Sequence, residues 1–590
     1  MSTIQTSLKN ALSIQPEKIA VEYNGQFFTR HYIYNQSVYI ADVFRKTYDL
    51  NDLEFVGVYA KDRLENLISM LALFMSRCVF IPLNTDYPPM YIKKIIKSSD
   101  IKKVIVGSDD FNRFNKVISD LSENDEISTI SYDSILPVDN NSVSFEYPAY
   151  DADDPIYVYY TSGSTGNPNA IVGRNESLLH FIEWEIKQFN INESDKCSQL
   201  TVPSHDPFLR DLLVPLISGG TLVLFDPRDI TDARALIDMI NTHQITHIHC
   251  TPTLFHMALL EANIHDFSNM RRILIAGEEL TSSMVERFIN IFGNKIQLVN
   301  LYGPTEATLA SLFYIIKPED VKLQKIPIGK PISDVDVIIL DDDLNICETR
   351  EIGEIYINSS YMSHGYYNND ALNEERFIIN PFNNDAGRLF KTSDLAYHNQ
   401  DGNIIFISRK DSVVKLHGYQ VDLSAITSAI TELDVVRMCV VKYFAKRKNA
   451  SSQVDFLVAY YISNEKDVDA LIKSHLNAKF PHYMIPAHFV KVNDIPLTTN
   501  GKIDYEQLPE PHTNAMKPET EMEHLLVEIW KDIFAKHDIG ITDNFFDLGG
   551  HSLLFLKLEI ALEKNNIEID DFNIYEYPTI KEMALYISGD

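Results

Sequence analysis

Residues 161–166 read Thr161-Ser162-Gly163-Ser164-Thr165-Gly166, directly after the strand-like run IYVYY. Glycines let a backbone approach an anion closely, and serine and threonine hydroxyls donate hydrogen bonds to it. The loop is not a Walker motif, because GxxxxGK[ST] is absent, and a plain Ser/Gly turn stands beside the anion-binding reading. Asp206 and Arg210 lie four apart, with Pro207 at a first helical position, which places both on one helix face. Read locally, they are an N-cap with an ion pair worth some tenths of a kcal/mol. Lys502 in TTNGKID, taken alone, is a solvated turn lysine, and Ser552 after Gly549-Gly550 is placed as a helix N-cap serine.

The elements that must position these residues are legible as runs. FVGVYA at 55–60, KKVIVG at 102–107, IYVYY at 156–160, TLVLF at 221–225 and RRILIAG at 271–277 read as strands, and DARALIDMINTHQ at 232–244 as a helix. Their alternation through about residue 400 predicts an α/β fold with largely parallel sheets. From Ser412, VVKLHGYQVDLSAITSAI reads as a strand, a turn at Gly418 and a helix, with further strands in DFLVAYYI and AHFVKV. LPEPHTNAMKP at 508–518 reads as a linker, and ETEMEHLLVEIWKDIF beyond it has helical apolar spacing.

The 590 residues are too many for one domain, and 52 Lys+Arg against 83 Asp+Glu give a net charge of −31. That balance argues against nucleic acid and anionic membrane as partners. Five scattered cysteines without CxxC spacing, no secretory leader and no apolar run of membrane-spanning length point to the cytoplasm. Residues 519–590 hold 16 acidic and 5 basic side chains, so a small acidic helical unit ends the sequence.

With Tyr302-Gly303-Pro304-Thr305-Glu306, Phe390-Lys391-Thr392-Ser393-Asp394-Leu395, Ser408-Arg409-Lys410-Asp411 and Asn500-Gly501-Lys502-Ile503-Asp504, the 161–166 loop completes an ordered set. The set resembles the adenylation domains of nonribosomal peptide synthetases, within the acyl-adenylate-forming family, over residues 10–509. DNFFDLGGHSLLFL at 543–556 resembles the attachment site of peptidyl carrier proteins. The resemblance implies a large adenylate-forming α/β subdomain at 1–410, a small mobile α+β subdomain at 411–508, a linker at 509–518 and a four-helix-bundle carrier domain at 519–590. It implies ATP-dependent activation of an amino acid, followed by loading onto 4′-phosphopantetheine carried by Ser552.

The resemblance also implies roles. Thr161 to Gly166 hold the β/γ-phosphates of ATP, Glu306 helps hold Mg²⁺, Asp394 takes the ribose hydroxyls and Arg409 assists there. Tyr302 stacks near adenine beside Thr305, Gly277 gives the base room, Asp411 is the hinge, and Lys502 bridges the reacting carboxylate and α-phosphate. Asn169 stands where the family usually has the lysine of Pro-Lys-Gly, and Ser393 and Ser408 stand where it usually has glycines. The Asn169 replacement motivates a second reading, a non-catalytic carrier or scaffold.

By the same resemblance, Asp206, Pro207, Arg210, His249, Leu274, Ala276, Leu301, Leu309 and Ala310 line the substrate pocket. HDPxxRD is similar to α-aminoadipate reductases, Asp206 matches the partner of a substrate α-ammonium group, and a guanidinium suits a second carboxylate. The expected substrate is an acidic amino acid such as α-aminoadipate, with a neutral amino or carboxylic acid as the alternative. Expected partners are a phosphopantetheinyl transferase and a condensation, tailoring or release enzyme acting in trans, since no such domain follows the carrier segment.

Overall fold

The computed structural model describes residues 3–87, 89–119, 127–136, 145–162, 168–225, 233–382, 387–410, 413–416, 419–444, 456–465, 468–480, 484–497, 503–509, 518–534, 539–541, 543, 545, 557–558, 561–562, 564–565, 567, 574 and 577–588. The chain divides into two compact units, residues 1–407 with 498–502, and residues 408–497 with 503–590.

Among the described residues, the first unit contains a nine-stranded sheet whose central six strands are parallel. Three of these neighbours carry the site: β1 (His247–Cys250), β2 (Arg272–Ile275) and β3 (Gln297–Tyr302). Side chains alternate between the two faces of a strand. Ile273, Ile275 and Leu298 therefore enter one apolar cluster, while Leu274, Val299 and Leu301 enter another. The second cluster also takes in the helices α1 (Asn175–Gln188) and α2 (Pro207–Ser218), through Phe181, Ile182, Leu209 and Leu212. It reaches a seven-stranded sheet through Val56, Val58 and Phe80. Parallel sheets are buried on both faces, which explains the nearly continuous apolar runs.

A third sheet, between residues 335 and 409, departs from the parallel expectation. Val335–Leu340 pairs antiparallel with Gly353–Ser359, and Phe377–Ile379 pairs antiparallel with Arg388–His398. The link from Ile379 to Arg388 is too short for the crossover that parallel neighbours need.

The second unit opens on a hairpin, Val413–Leu416 with Tyr419–Asp422, followed by the helix Leu423–Thr431. Residues 419–422 thus form a second strand where the sequence suggested the approach to a helix; Gly418 lies outside the described residues. The strands Met438–Phe444, Phe456–Ile462 and His488–Lys491 form a small mixed sheet. Further on, the helices Glu521–Phe534 and Ile580–Ser588 pack around the buried Trp530, whose ring meets Phe534 and Phe545. No helix among the described residues is long and apolar enough to cross a membrane.

Candidate active site

Within the first unit the expected pocket residues converge. His249 and Leu274 are in register on β1 and β2, and Leu301 on β3 lies on the same face as Val299, which is in register with Leu274. After β3 the chain makes the short turn Thr305–Ala307, then passes Thr308 and Leu309 at φ of 64° and 66°. Leu309 and Ala310 are buried there. The return is tight: a Cβ on Gly303 would lie 2.5 Å from the Ala310 Cα, so only glycine fits. Ala276 is half-buried and donates its amide to the Cys250 carbonyl at 3.2 Å; Pro207 is half-buried at the start of α2.

Asp206 occupies the N-cap position of α2 but makes no side-chain cap bond. Its carboxylate accepts from the Thr305 hydroxyl at 3.1 Å. Burial pushes the Asp206 carboxyl up to about 6, against the pull of that hydrogen bond. The i,i+4 ion pair with Arg210 does not form within 4.0 Å; Arg210 instead sits with Nε 3.7 Å from the Asp211 carboxylate. The Arg210 side chain is 4% exposed and its Nε has no hydrogen-bond acceptor. The local reading of the pair as a capped, ion-paired helix start is therefore corrected.

Three residues that sequence reasoning passed over surround His249. Its Nε2 is 2.8 Å from Glu185 Oε1, its Nδ1 is 3.1 Å from Asp211 Oδ1, and its Nε2 is 3.2 Å from His247 Nε2. All four side chains are at most 1% exposed. Burial and the Arg210 charge disfavour the charged ring, but Glu185 and the nearby Asp211 carboxylate outweigh them and raise His249. Burial likewise opposes the charge on Glu185, yet the His249 charge and the bonds from both imidazoles carry it well below the usual carboxylate range. Burial drops His247 to about 4. Two signals were available: the HIH alternation points both rings to one sheet face, and Glu185 falls on the apolar stripe of α1 with Leu178, Phe181 and Ile182.

A second group gathers around Tyr302. Its hydroxyl donates to Asp394, whose amide donates to Thr392 Oγ1 at 3.0 Å; that hydroxyl in turn donates to the Ile355 carbonyl at 2.8 Å. Ser393 between them has φ of 66°, so the left-handed turn persists without its usual glycine, and Arg376 donates to the Ser393 hydroxyl. Glu306 accepts from the Tyr366 hydroxyl at 2.6 Å through Oε1, while Oε2 takes no hydrogen bond among the described residues. A carboxylate with one oxygen held and one available fits a hard cation such as Mg²⁺. Gly277 is exposed at φ of 97°.

Thr161 is half-buried and pairs with Asn169 across the hairpin Pro155–Ser162 and Pro168–Arg174. Ser162 ends that first strand, Ser408 is buried, and Arg409 ends the strand Ile404–Arg409 as an exposed residue. Gly163, Ser164, Thr165, Gly166, Asp411, Lys502 and Ser552 lie outside the described residues.

Residues 8–367 match the family model described as AMP-binding enzyme. The chain belongs to that family. Residues 524–587 match the model for a phosphopantetheine attachment site, so an adenylate-forming domain and a carrier domain share one chain. Among curated relatives, gramicidin S synthase 2 of Brevibacillus brevis is 31% identical over 99% of this chain, and tyrocidine synthase 3 of Brevibacillus parabrevis is 29% identical over 99%. The chain spans only 13% and 9% of those two proteins. Among solved structures, the McyG adenylation–carrier pair complexed with phenylalanyl-adenylate matches with a TM-score of 0.76 at 18% identity, over 99% of this chain and 98% of that one. A four-domain nonribosomal peptide synthetase bound to AMP and glycine matches with 0.74 at 22%, over 100% and 43%. These likenesses bear out the expected multidomain α/β fold.

Proposed function

We propose that this AMP-binding enzyme activates an amino acid with ATP and transfers the acyl group to its own carrier domain. In the first step a carboxylate oxygen of the substrate bonds to the α-phosphorus, the α–β phosphoanhydride bond breaks, and pyrophosphate leaves. Lys502 neutralises the crowded negative oxygens of that transition state. Residues 161–166 would hold the outgoing phosphates, Asp394 the ribose hydroxyls with Arg409 assisting, Tyr302 and Thr305 the nucleotide beside Gly277, and Glu306 would hold a Mg²⁺ ion, which would supply positive charge against the phosphates. Ser552 would hold the phosphopantetheine arm, which would supply a thiol to displace AMP from the acyl group. Lys502 and that arm use one site in turn, with Asp411 as the hinge between the two arrangements.

The observation that carries the substrate reading is the pair Asp206 and Arg210, both buried, as are Leu274, Leu301 and Ala310. Asp206 is an anion that does not cap its helix, and it suits an α-ammonium group. Arg210 is a buried cation whose Nε has no acceptor, and it suits a second carboxylate at the far end of an aliphatic spacer. This favours an acidic amino acid such as α-aminoadipate over a neutral acid. The reading requires a phosphopantetheinyl transferase and a downstream enzyme that takes the thioester.

The test is ATP–pyrophosphate exchange across neutral amino acids, acidic amino acids and amino-less diacids. Exchange should be strongest with an acidic amino acid, and Arg210→Ala should depress it more for diacids than for neutral acids. Equal losses sink the carboxylate reading; exchange with no acid at all favours the non-catalytic carrier suggested by Asn169.

A further inference from the structure

Glu185, Asp211 and His247 belong to no expected role, yet they sit directly behind the pocket. Both ring nitrogens of His249 face carboxylate oxygens, at 2.8 and 3.1 Å. The Glu185 contact is a hydrogen bond, whereas Asp211 Oδ1 faces Nδ1 without hydrogen-bond alignment; with both carboxylates ionised, an imidazolium is the ring state that both contacts favour. The groups facing the ring are Glu185 from α1, Asp211 and Arg210 from α2 and His247 from its own strand. Arg272 lies behind His247. Two carboxylates against one guanidinium and one imidazolium close the charge within the quartet, with His247 neutral. Glu185, His247 and His249 also offer a ligand set of the kind a divalent metal uses, with atoms within 4.8 Å of one another. The quartet needs no ion for balance, and adding one beside the guanidinium would leave an excess of buried positive charge.

The division of Asp211 matters most. It lies 3.1 Å from His249 Nδ1 but 3.7 Å from Arg210 Nε. Its Oδ2 accepts from the Leu200 and Thr201 amides at 3.3 and 3.1 Å, while its Oδ1 makes no hydrogen bond and lies nearer the imidazole than the guanidinium, whose Nε has no acceptor. We propose that Glu185 and Asp211 are positioning residues: Glu185 keeps His249 doubly protonated, His249 draws Asp211 away from Arg210, and Arg210 is thereby kept available for a substrate carboxylate. Selectivity for a diacid is then built by side chains from three elements. Losing the Glu185 charge releases a proton from His249, lets Asp211 close on Arg210, and removes the anchor.

This inference rests on the acid-binding reading of Arg210, and its test separates the two. In the full chain labelled with ¹⁵N-histidine, with the His249 signal assigned through His249→Gln, both ring nitrogens should show the imidazolium signature at pH 7.5. One unprotonated nitrogen, or stoichiometric bound zinc by metal analysis, overturns the proposal whatever the substrate is. In exchange assays Glu185→Gln should raise KM for the preferred diacid at least tenfold more than KM for neutral acids, with kcat changed less, and Glu185→Asp should recover part of the loss. Equal KM changes for both classes overturn it. Should Glu185→Gln not fold, the wild-type spectrum still decides the protonation. An imidazolium at His249 in an enzyme that activates only neutral acids would sink the substrate reading and the selectivity role together, while leaving the charge quartet intact.

Discussion

At the scale of single residues, the site is governed by buried charges whose partners are incomplete. Asp206 titrates near 6 because burial disfavours its ionised form. The sign follows: its folded value lies above the ordinary aspartate value of 3.8, so the carboxylate costs stability above pH 6 and that cost disappears as pH falls toward 4. On the proposed reading substrate recognition runs the other way, since an α-ammonium group needs the carboxylate. KM for the preferred amino acid should therefore climb as pH drops below about 6, while an amino-less diacid shows a smaller rise. Asp206→Asn should raise the same KM on the order of 100-fold, corresponding to about 3 kcal/mol for removing one partner of a buried ion pair. Ser393 offers a stability test. It is held at φ of 66°, where a side chain costs about 1 kcal/mol. Both Ser393→Gly and Ser393→Ala lose the Arg376 contact, so denaturant unfolding should find the glycine variant about 1 kcal/mol more stable than the alanine one.

At the scale of elements, parallel strands deliver His249, Leu274 and Leu301 to one face, and the return after β3 brings in Leu309 and Ala310. Gly303 is the point on which that return depends, because a Cβ there meets backbone at 2.5 Å. Gly303→Ala should cost about 1–3 kcal/mol and depress exchange activity, as the Thr305–Ala310 stretch is pushed aside. Much of this was legible in the sequence. The apolar runs marked the strands, and the five ordered motifs marked the family. What escaped was polar chemistry written inside apolar patterns. Glu185 reads as an interruption of a helix stripe, His247 as one more residue of a buried strand, and Asp211 as a helix acid. Their meaning depends on three elements meeting, which no local pattern encodes. The antiparallel sheet after residue 335 escaped for a related reason, since β-branched runs do not state the direction of their neighbours.

For the whole molecule, an adenylate-forming domain and a carrier domain share one chain, and each has an apolar cluster of its own among the described residues. Trp530 anchors a cluster with Leu526, Phe545, Leu558, Leu562 and Ile580. Trp530→Ala should cost about 3–5 kcal/mol in that cluster. The variant chain should then lose phosphopantetheinylation, read as the mass gain at Ser552, yet keep acid-dependent exchange. On the proposed function the two activities are linked within one chain. Intact-mass spectrometry of the phosphopantetheinylated chain, incubated with ATP, Mg²⁺ and an acidic amino acid, tests it most directly. The proposed function predicts an ATP-dependent mass gain equal to the acyl group, reversed by thioester cleavage and lost in both Lys502→Ala and Ser552→Ala. A chain that carries the arm but gains no acyl mass from any acid, or that gains it equally with Lys502 replaced, contradicts it.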